Sequence, residues 1–174
     1  MKSRKIINSL WRIAVLFLFL YVIFGYQYRL TYNHGNSMYP THSDGDWIIV
    51  EKRNSMPNEW VPDRYDIVII ESDENLCKRV IGIPGDKIEV KEGVIFLNNK
   101  ELKDPFGEGK IFYYLTDEDD NDLYYWGTKD KVIQYISHKQ ITIPKDHVWV
   151  IGDNRGISWY GMLPIKNIKG LVIL

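Results

Sequence analysis

The sequence predicts a mainly β protein: an antiparallel β-sheet domain carried on one N-terminal transmembrane helix. Three observations lead there. An uncharged run, Ile13 to Tyr26, follows a basic cluster. Short β-branched segments bounded by charges and turn residues recur through the rest of the chain. No stretch after Leu30 keeps a sustained helical period.

The N-terminal segment comes first. Lys2, Arg4, Lys5 and Arg12 precede the run, and Arg29 alone lies just after it. The uncharged core is short of the ~20 residues that cross a bilayer, but Leu10 to Leu30 together suffice. Trp11 and Tyr28 stand where interfacial aromatics would, and Arg12 can snorkel. Val15 to Phe24 is apolar on every face, which argues against a half-buried helix. The end of the run, Phe24-Gly25-Tyr26-Gln27-Tyr28, lacks the small residues of a cleavage site. The expected organisation is a cytoplasmic N-terminus at 1–12, an uncleaved anchor at 13–30, and an extracytoplasmic domain at 31–174. The charge asymmetry sets that orientation.

Strands follow in order. Asp46 to Glu51 and Asp66 to Glu71 are β-branched runs, and Cys77 to Ile83 is a third, ended by Pro84-Gly85-Asp86. Lys87 to Lys91 alternates cleanly and turns at Glu92-Gly93 into Val94 to Leu97, a hairpin pattern. His147 to Ile151 and Leu171 to Leu174 complete the set. Residues from about 98 to 140 alternate less and carry more charge, Gly and Tyr, so they read as an excursion between core strands. Within it, Asp117, Asp119 and Asn121 have a D-x-D-x-N spacing. Asp122 and Thr128 stand where a calcium loop needs Gly and Glu, so the run reads as a solvated acidic loop.

Composition narrows the function. A net charge of −1 offers no basic field for nucleic acid. One cysteine, Cys77, excludes an internal disulfide framework and a multi-cysteine zinc site, and four scattered histidines form no metal spacing. No cofactor or metal is expected.

Four segments carry the chemistry: Gly35-Asn36-Ser37-Met38-Tyr39-Pro40-Thr41, Asp66 to Ile70, Lys78-Arg79-Val80-Ile81-Gly82-Ile83-Pro84-Gly85-Asp86, and Gly152-Asp153-Asn154-Arg155-Gly156-Ile157-Ser158. Ser37 sits in a Gly/Asn-rich turn before a proline. A free hydroxyl is a poor nucleophile and needs a base to take its proton. Lys78 opens an apolar strand. Alternation places it with Val80, while Cys77, Arg79 and Ile81 take the other face, so Lys78 can point inward and Arg79 away. A lysine is a base only when neutral. Bringing its pKa from about 10.4 to about 7–8 corresponds to roughly 4 kcal/mol, which burial can supply.

In this order the segments resemble the bacterial type I signal peptidases, or leader peptidases, and the short chain with one anchor is most similar to the small Gram-positive form. The resemblance covers all but the middle excursion. It implies a membrane-bound serine endopeptidase that removes signal peptides from exported precursors through a Ser37/Lys78 dyad. It also implies that Ser158 hydrogen-bonds and orients Lys78. Asp153 and Arg155 would pin the turn that holds Ser158, with Gly152 and Gly85 serving backbone geometry. The Ser37 N–H is the natural oxyanion donor; where some relatives add a serine hydroxyl, this chain has Gly35. Met38 follows the nucleophile as a supporting residue. The implied partners are signal-peptide-bearing precursors and the bilayer, with room for contact with the secretion machinery.

The chain departs from that pattern after Ser158. The usual continuation, S-x-D-S-R, is here Ser158-Trp159-Tyr160-Gly161-Met162, so an Asp–Arg ion pair is missing. If packing replaces it, Trp159, Tyr160 and Met162 form an apolar wall. Other readings are a pilin- or conjugation-processing relative, a non-catalytic scaffold, and a peptide-binding β-domain. A Ser37 pairing with His34 or His42 lacks an orienting acid, and Cys77 reads as core.

Overall fold

The computed structural model describes residues 2–72, 76–115 and 132–174. The acidic run Asp117 to Asp122 lies outside them. The first element is a helix, α1 (Lys2–Gln27), whose stretch Leu10–Gln27 is long and apolar enough to cross a membrane and is not buried against the domain. At 1.5 Å per residue those 18 residues extend about 27 Å. The helix ends at Gln27, earlier than the span expected at 13–30. Residues 28–30 belong to a strand, because Tyr28–Tyr32 pairs in register with Trp47–Lys52 and so satisfies its backbone groups inside the domain.

The strands are β1 (Tyr28–Tyr32), β2 (Trp47–Lys52), β3 (Ile67–Ile70), β4 (Leu76–Gly82), β5 (Lys87–Lys91), β6 (Val94–Leu97), β7 (Lys100–Glu101), β8 (Phe112–Leu115), β9 (Val132–Tyr135), β10 (His138–Thr142), β11 (His147–Ile151), β12 (Tyr160–Pro164) and β13 (Ile168–Val172). A seven-stranded sheet has the order β1-β2-β13-β3-β4-β11-β12, and a four-stranded sheet the order β10-β5-β6-β7. Among the described residues every pairing of these strands is antiparallel. The hairpin expected at Glu92-Gly93 is present, with both residues at positive φ as a tight two-residue turn requires.

Strand β4 is central, and burial explains its sequence. From Cys77 to Gly82 every residue is buried, so both sheet faces are covered. Val68 pairs with Lys78, Ile69 with Cys77 and Ile67 with Arg79, which puts Lys78 and its two neighbours on opposite faces. One cluster joins Val68, Ile70, Val80, Val148 and Val150. A second, around Ile81, Ile88, Ile143 and Trp149, ties the small sheet to the large one. A third is small: Met38, Ile48, Val50 and Cys77.

Candidate active site

The turn that carries Ser37 is built by short-range polar bonds. Asn33 is buried, and its amide donates to the Gly35 and Ser43 carbonyls at 3.0 Å each. Gly35 adopts φ +74°, a conformation that disfavours a side chain, and its N–H donates to Asp44 Oδ1 at 2.7 Å. Met38 is fully buried in the third cluster. The turn is thus nailed down on one side of Ser37 by an apolar side chain, while Ser37 itself remains half-buried.

Lys78 reaches this turn from β4. Its Nζ donates to Ser37 Oγ at 2.7 Å and to the Cys77 carbonyl at 2.9 Å. It is 2% exposed and has no carboxylate in salt-bridge contact among the described residues. Burial therefore dominates and lowers its pKa to about 8, with Cys77 and Asp153 opposing weakly. The same burial pushes the Cys77 thiol up to about 12, which leaves it an inert core residue.

The partners of Ser158 differ from those the resemblance implied. Its Oγ accepts from the Gly152 N–H at 2.6 Å and donates to the Trp159 carbonyl at 2.8 Å. The hydroxyl's one proton is used there, and Lys78 is not among its hydrogen-bond partners. Ser158 closes its own turn, and that turn abuts the one that carries Ser37. The Asn154 N–H donates to the Ser37 carbonyl at 3.0 Å. A Cβ on Gly152 would lie 2.1 Å from that carbonyl and 2.5 Å from Ser158 Oγ. Gly152 is therefore the place where two active-site turns meet without room for a side chain.

Arg79 is a residue whose role the sequence did not reveal. It does not point to solvent: it is 3% exposed and forks onto fully buried Asp153, both N–O distances being 2.7 Å. Thr41 Oγ1, four residues after Ser37, donates to the same carboxylate at 2.5 Å. Arg79 also donates to the Tyr65 carbonyl at 2.7 Å, and its guanidinium lies 3.8 Å from the Phe106 ring centroid. Asp153 thus joins the Ser37 turn, β4 and the 152–158 turn. Arg155 pins the last of these, donating to the Gly152 carbonyl and pairing with Asp104 at 2.9 Å.

Phe106 and Asp104 come from the excursion, so its first part is scaffold for the site. Glu108 reinforces this through backbone bonds to Asp153 and Arg155. No motif in the sequence marked these residues. The apolar wall after Ser158 is not packed as expected either. Tyr160 lies against Trp149 and bonds His138 Nε2 at 2.7 Å, but Trp159, just before the edge strand β12, and Met162, within it, are 39% and 42% exposed. His34 lies against Tyr32 with the rings tilted by 59°, and no histidine hydrogen-bonds Ser37 among the described residues. The described residues hold no group of three or more His, Cys, Asp or Glu placed to bind a metal.

A polar hydroxyl–amine pair set on an antiparallel β-sheet domain, behind one apolar N-terminal helix, defines the class of the molecule. The chain belongs to the signal peptidase family, peptidase S26, whose model matches residues 6–174. It is 32% identical over 145 residues to signal peptidase I of Bacillus caldolyticus, covering 79% of this chain and 73% of the relative. It is 29% identical over 181 residues to signal peptidase IB of Staphylococcus aureus, covering 98% and 88%. A signal peptidase I structure from Enterococcus faecalis aligns at 22% identity and TM-score 0.40, covering 64% of this chain and 97% of that one.

Proposed function

We propose that this chain is a membrane-bound serine endopeptidase that removes N-terminal signal peptides from exported precursors by a Ser37/Lys78 dyad. The observation that supports it most is the 2.7 Å contact between Ser37 Oγ and a lysine Nζ whose burial favours the neutral amine. Neutral Lys78 takes the hydroxyl proton as Ser37 Oγ attacks the scissile carbonyl. The resulting ammonium gives that proton to the leaving amine nitrogen, and an ester to Ser37 remains. A water loses its proton to Lys78 and attacks the ester; Lys78 returns that proton to Ser37 Oγ as the ester bond breaks, which frees the signal peptide's carboxyl end and restores the dyad. The Ser37 N–H makes no hydrogen bond among the described residues, which leaves it available to the oxyanion.

Asp153, Ser158, Gly35 and Met38 act as positioning residues in this reading. Helix α1 is the anchor, with Lys2, Arg4, Lys5 and Arg12 inside and the domain outside. Its end at Gln27 is ten residues before Ser37, which keeps the chemistry close to the membrane surface. The substrates are precursors delivered by the secretion machinery.

Cleavage of a synthetic precursor peptide, with products mapped by mass, tests the proposal. Wild type should cut at one bond. Ser37→Ala and Lys78→Ala should abolish cleavage while remaining folded, and Lys78→Arg should not rescue it, since arginine stays charged. Turnover by either alanine variant would sink the assignment.

A further inference from the structure

A cleft of about 870 Å³ leads from the Ser37 turn toward the end of α1. At one end it is lined by Asn33 and His34, which run into that turn, and by Cys77, beside Lys78. It is therefore part of the active site. Its lining also includes Arg29, Lys52, Arg53, Lys166 and Lys169 and contains no Asp or Glu. The whole chain carries 22 Lys and Arg against 23 Asp and Glu, so charge is sharply separated in this cleft.

Strand register shows which cation a bound peptide meets. Arg29 pairs with Val50 and Thr31 with Ile48, and paired residues share a sheet face, so Arg29 stands on the face that forms the apolar floor of the cleft. Strand β1 is an edge of the seven-stranded sheet, which leaves its outer backbone groups open to an extended peptide. Such a peptide advances about 3.4 Å for each residue of β1. From Gly35 back to Arg29 it covers about six residues, or roughly 20 Å.

The cations differ in how far they are already engaged. Lys169 is ion-paired with Glu71. Lys52 donates to the Gly25 carbonyl, and Arg53 to the Pro57 and Asn58 carbonyls, which occupies N–H groups but leaves the charge uncancelled. Arg29 and Lys166 are exposed and make no hydrogen bond or ion pair among the described residues, although Asp146 is near enough to feel Lys166. A guanidinium without a partner presents a fork that fits a carboxylate.

We propose that Arg29, together with Lys166, selects precursors that carry an Asp or Glu about five to seven residues before the bond that is cut. The inference rests on the signal-peptide reading above. In that reading the substrate's apolar segment shares the bilayer with α1. The residues just before the cut then approach Ser37 from the α1 end of the cleft, past Arg29. A carboxylate there gains an ion pair with a cation that has none, and a lysine there meets only like charge. Arg29 is remote from the reacting bond, so the selection acts on binding and not on the chemical step.

The test uses the full chain in micelles of an uncharged detergent and three synthetic precursor peptides. They are identical except for Glu, Gln or Lys at the sixth residue before the cut. Wild type should cut the Glu peptide about two- to fivefold better than the Gln peptide in kcat/KM, and the Lys peptide worse than Gln by a similar factor. The spread should lie in KM and shrink in 1 M salt, where the screening length is about 3 Å. Arg29→Gln with Lys166→Gln should bring the three peptides together. Lys100→Gln with Lys139→Gln removes the same charge outside the cleft and should keep the spread. Equal kcat/KM for the three peptides with wild type would overturn the inference and leave the endopeptidase reading standing. So would a spread that both double variants lose alike, or that neither loses. A wild type that cuts none of the three would bring down the endopeptidase reading first, and this inference with it.

Discussion

Lys78 and Arg79 are adjacent on β4, both cationic in water and both almost wholly buried, yet their surroundings are opposite. Arg79 meets a carboxylate that accepts both of its parallel N–H bonds, with Thr41, Tyr65 and Phe106 around it. Lys78 meets a hydroxyl and a carbonyl, and no ion pair. Burial with a counter-charge keeps a cation charged and makes it a strut. Burial without one favours the neutral amine and makes it a base. In the proposed mechanism, two neighbouring residues of similar chemistry therefore divide the work of the site, one holding the geometry and the other moving the proton.

Breaking the strut should have the largest effect on stability. Asp153→Asn leaves Arg79 buried without its counter-charge, and removal of one partner of a buried pair costs about 3–5 kcal/mol. Denaturant unfolding should show that loss. Arg79→Met with Asp153→Leu, which removes both charges, should be less destabilised than Asp153→Asn alone. Equal stability of Asp153→Asn and wild type would erase the distinction between the two cations.

Lys78→Met should move stability the other way. The lysine pKa is about 8 when folded and 10.5 when free, so the folded state holds fewer protons between those values. Wild-type stability should rise as pH climbs from 8 to 10.5, and below pH 8 the full penalty of a buried charge remains. The methionine variant should gain up to about 3 kcal/mol below pH 8, and the gain should vanish above pH 10.5. A pH-independent difference, measured by unfolding at several pH values, would contradict the account.

The smallest effect should come from the excursion. Asp104→Asn keeps the shape of the side chain but removes the charge opposite Arg155, and should cost about 1–3 kcal/mol. Peptide turnover should fall only through that loss of order in the 152–158 turn. A stable Asp104→Asn protein with wild-type turnover would show that the first part of the excursion is not scaffold.

These residues also show what the sequence could and could not reveal. Strands β2, β3, β4 and β11, the hairpin at Glu92-Gly93 and the apolar helix were readable because each depends on a local pattern, whereas β1 and β12 were not expected and β13 begins three residues before the strand expected at Leu171 to Leu174. The meeting of Ser37 and Lys78 was readable because the turn serine and the strand lysine sit in segments that resemble the family's in order and in their Gly and Pro. The partners of Arg79 were not readable, because strand alternation assigns a side but not whether that side is covered. Asp104 and Phe106 lie in a segment with weak periodicity, and their meaning comes from a fold-back onto the 152–158 turn. The bond from Ser158 to Lys78 was inferred from the resemblance, whereas the serine's own turn supplies nearer partners.

The central claim is that burial makes Lys78 a base near neutral pH, and a direct titration tests it best. The full chain, labelled with carbon-13 at the lysine ε-carbon, can be titrated by NMR in detergent micelles, with Lys78→Met identifying the resonance. The account predicts a midpoint of about 8, matched by the rise of kcat/KM with pH. A midpoint near the free-lysine value of about 10.4 would contradict it.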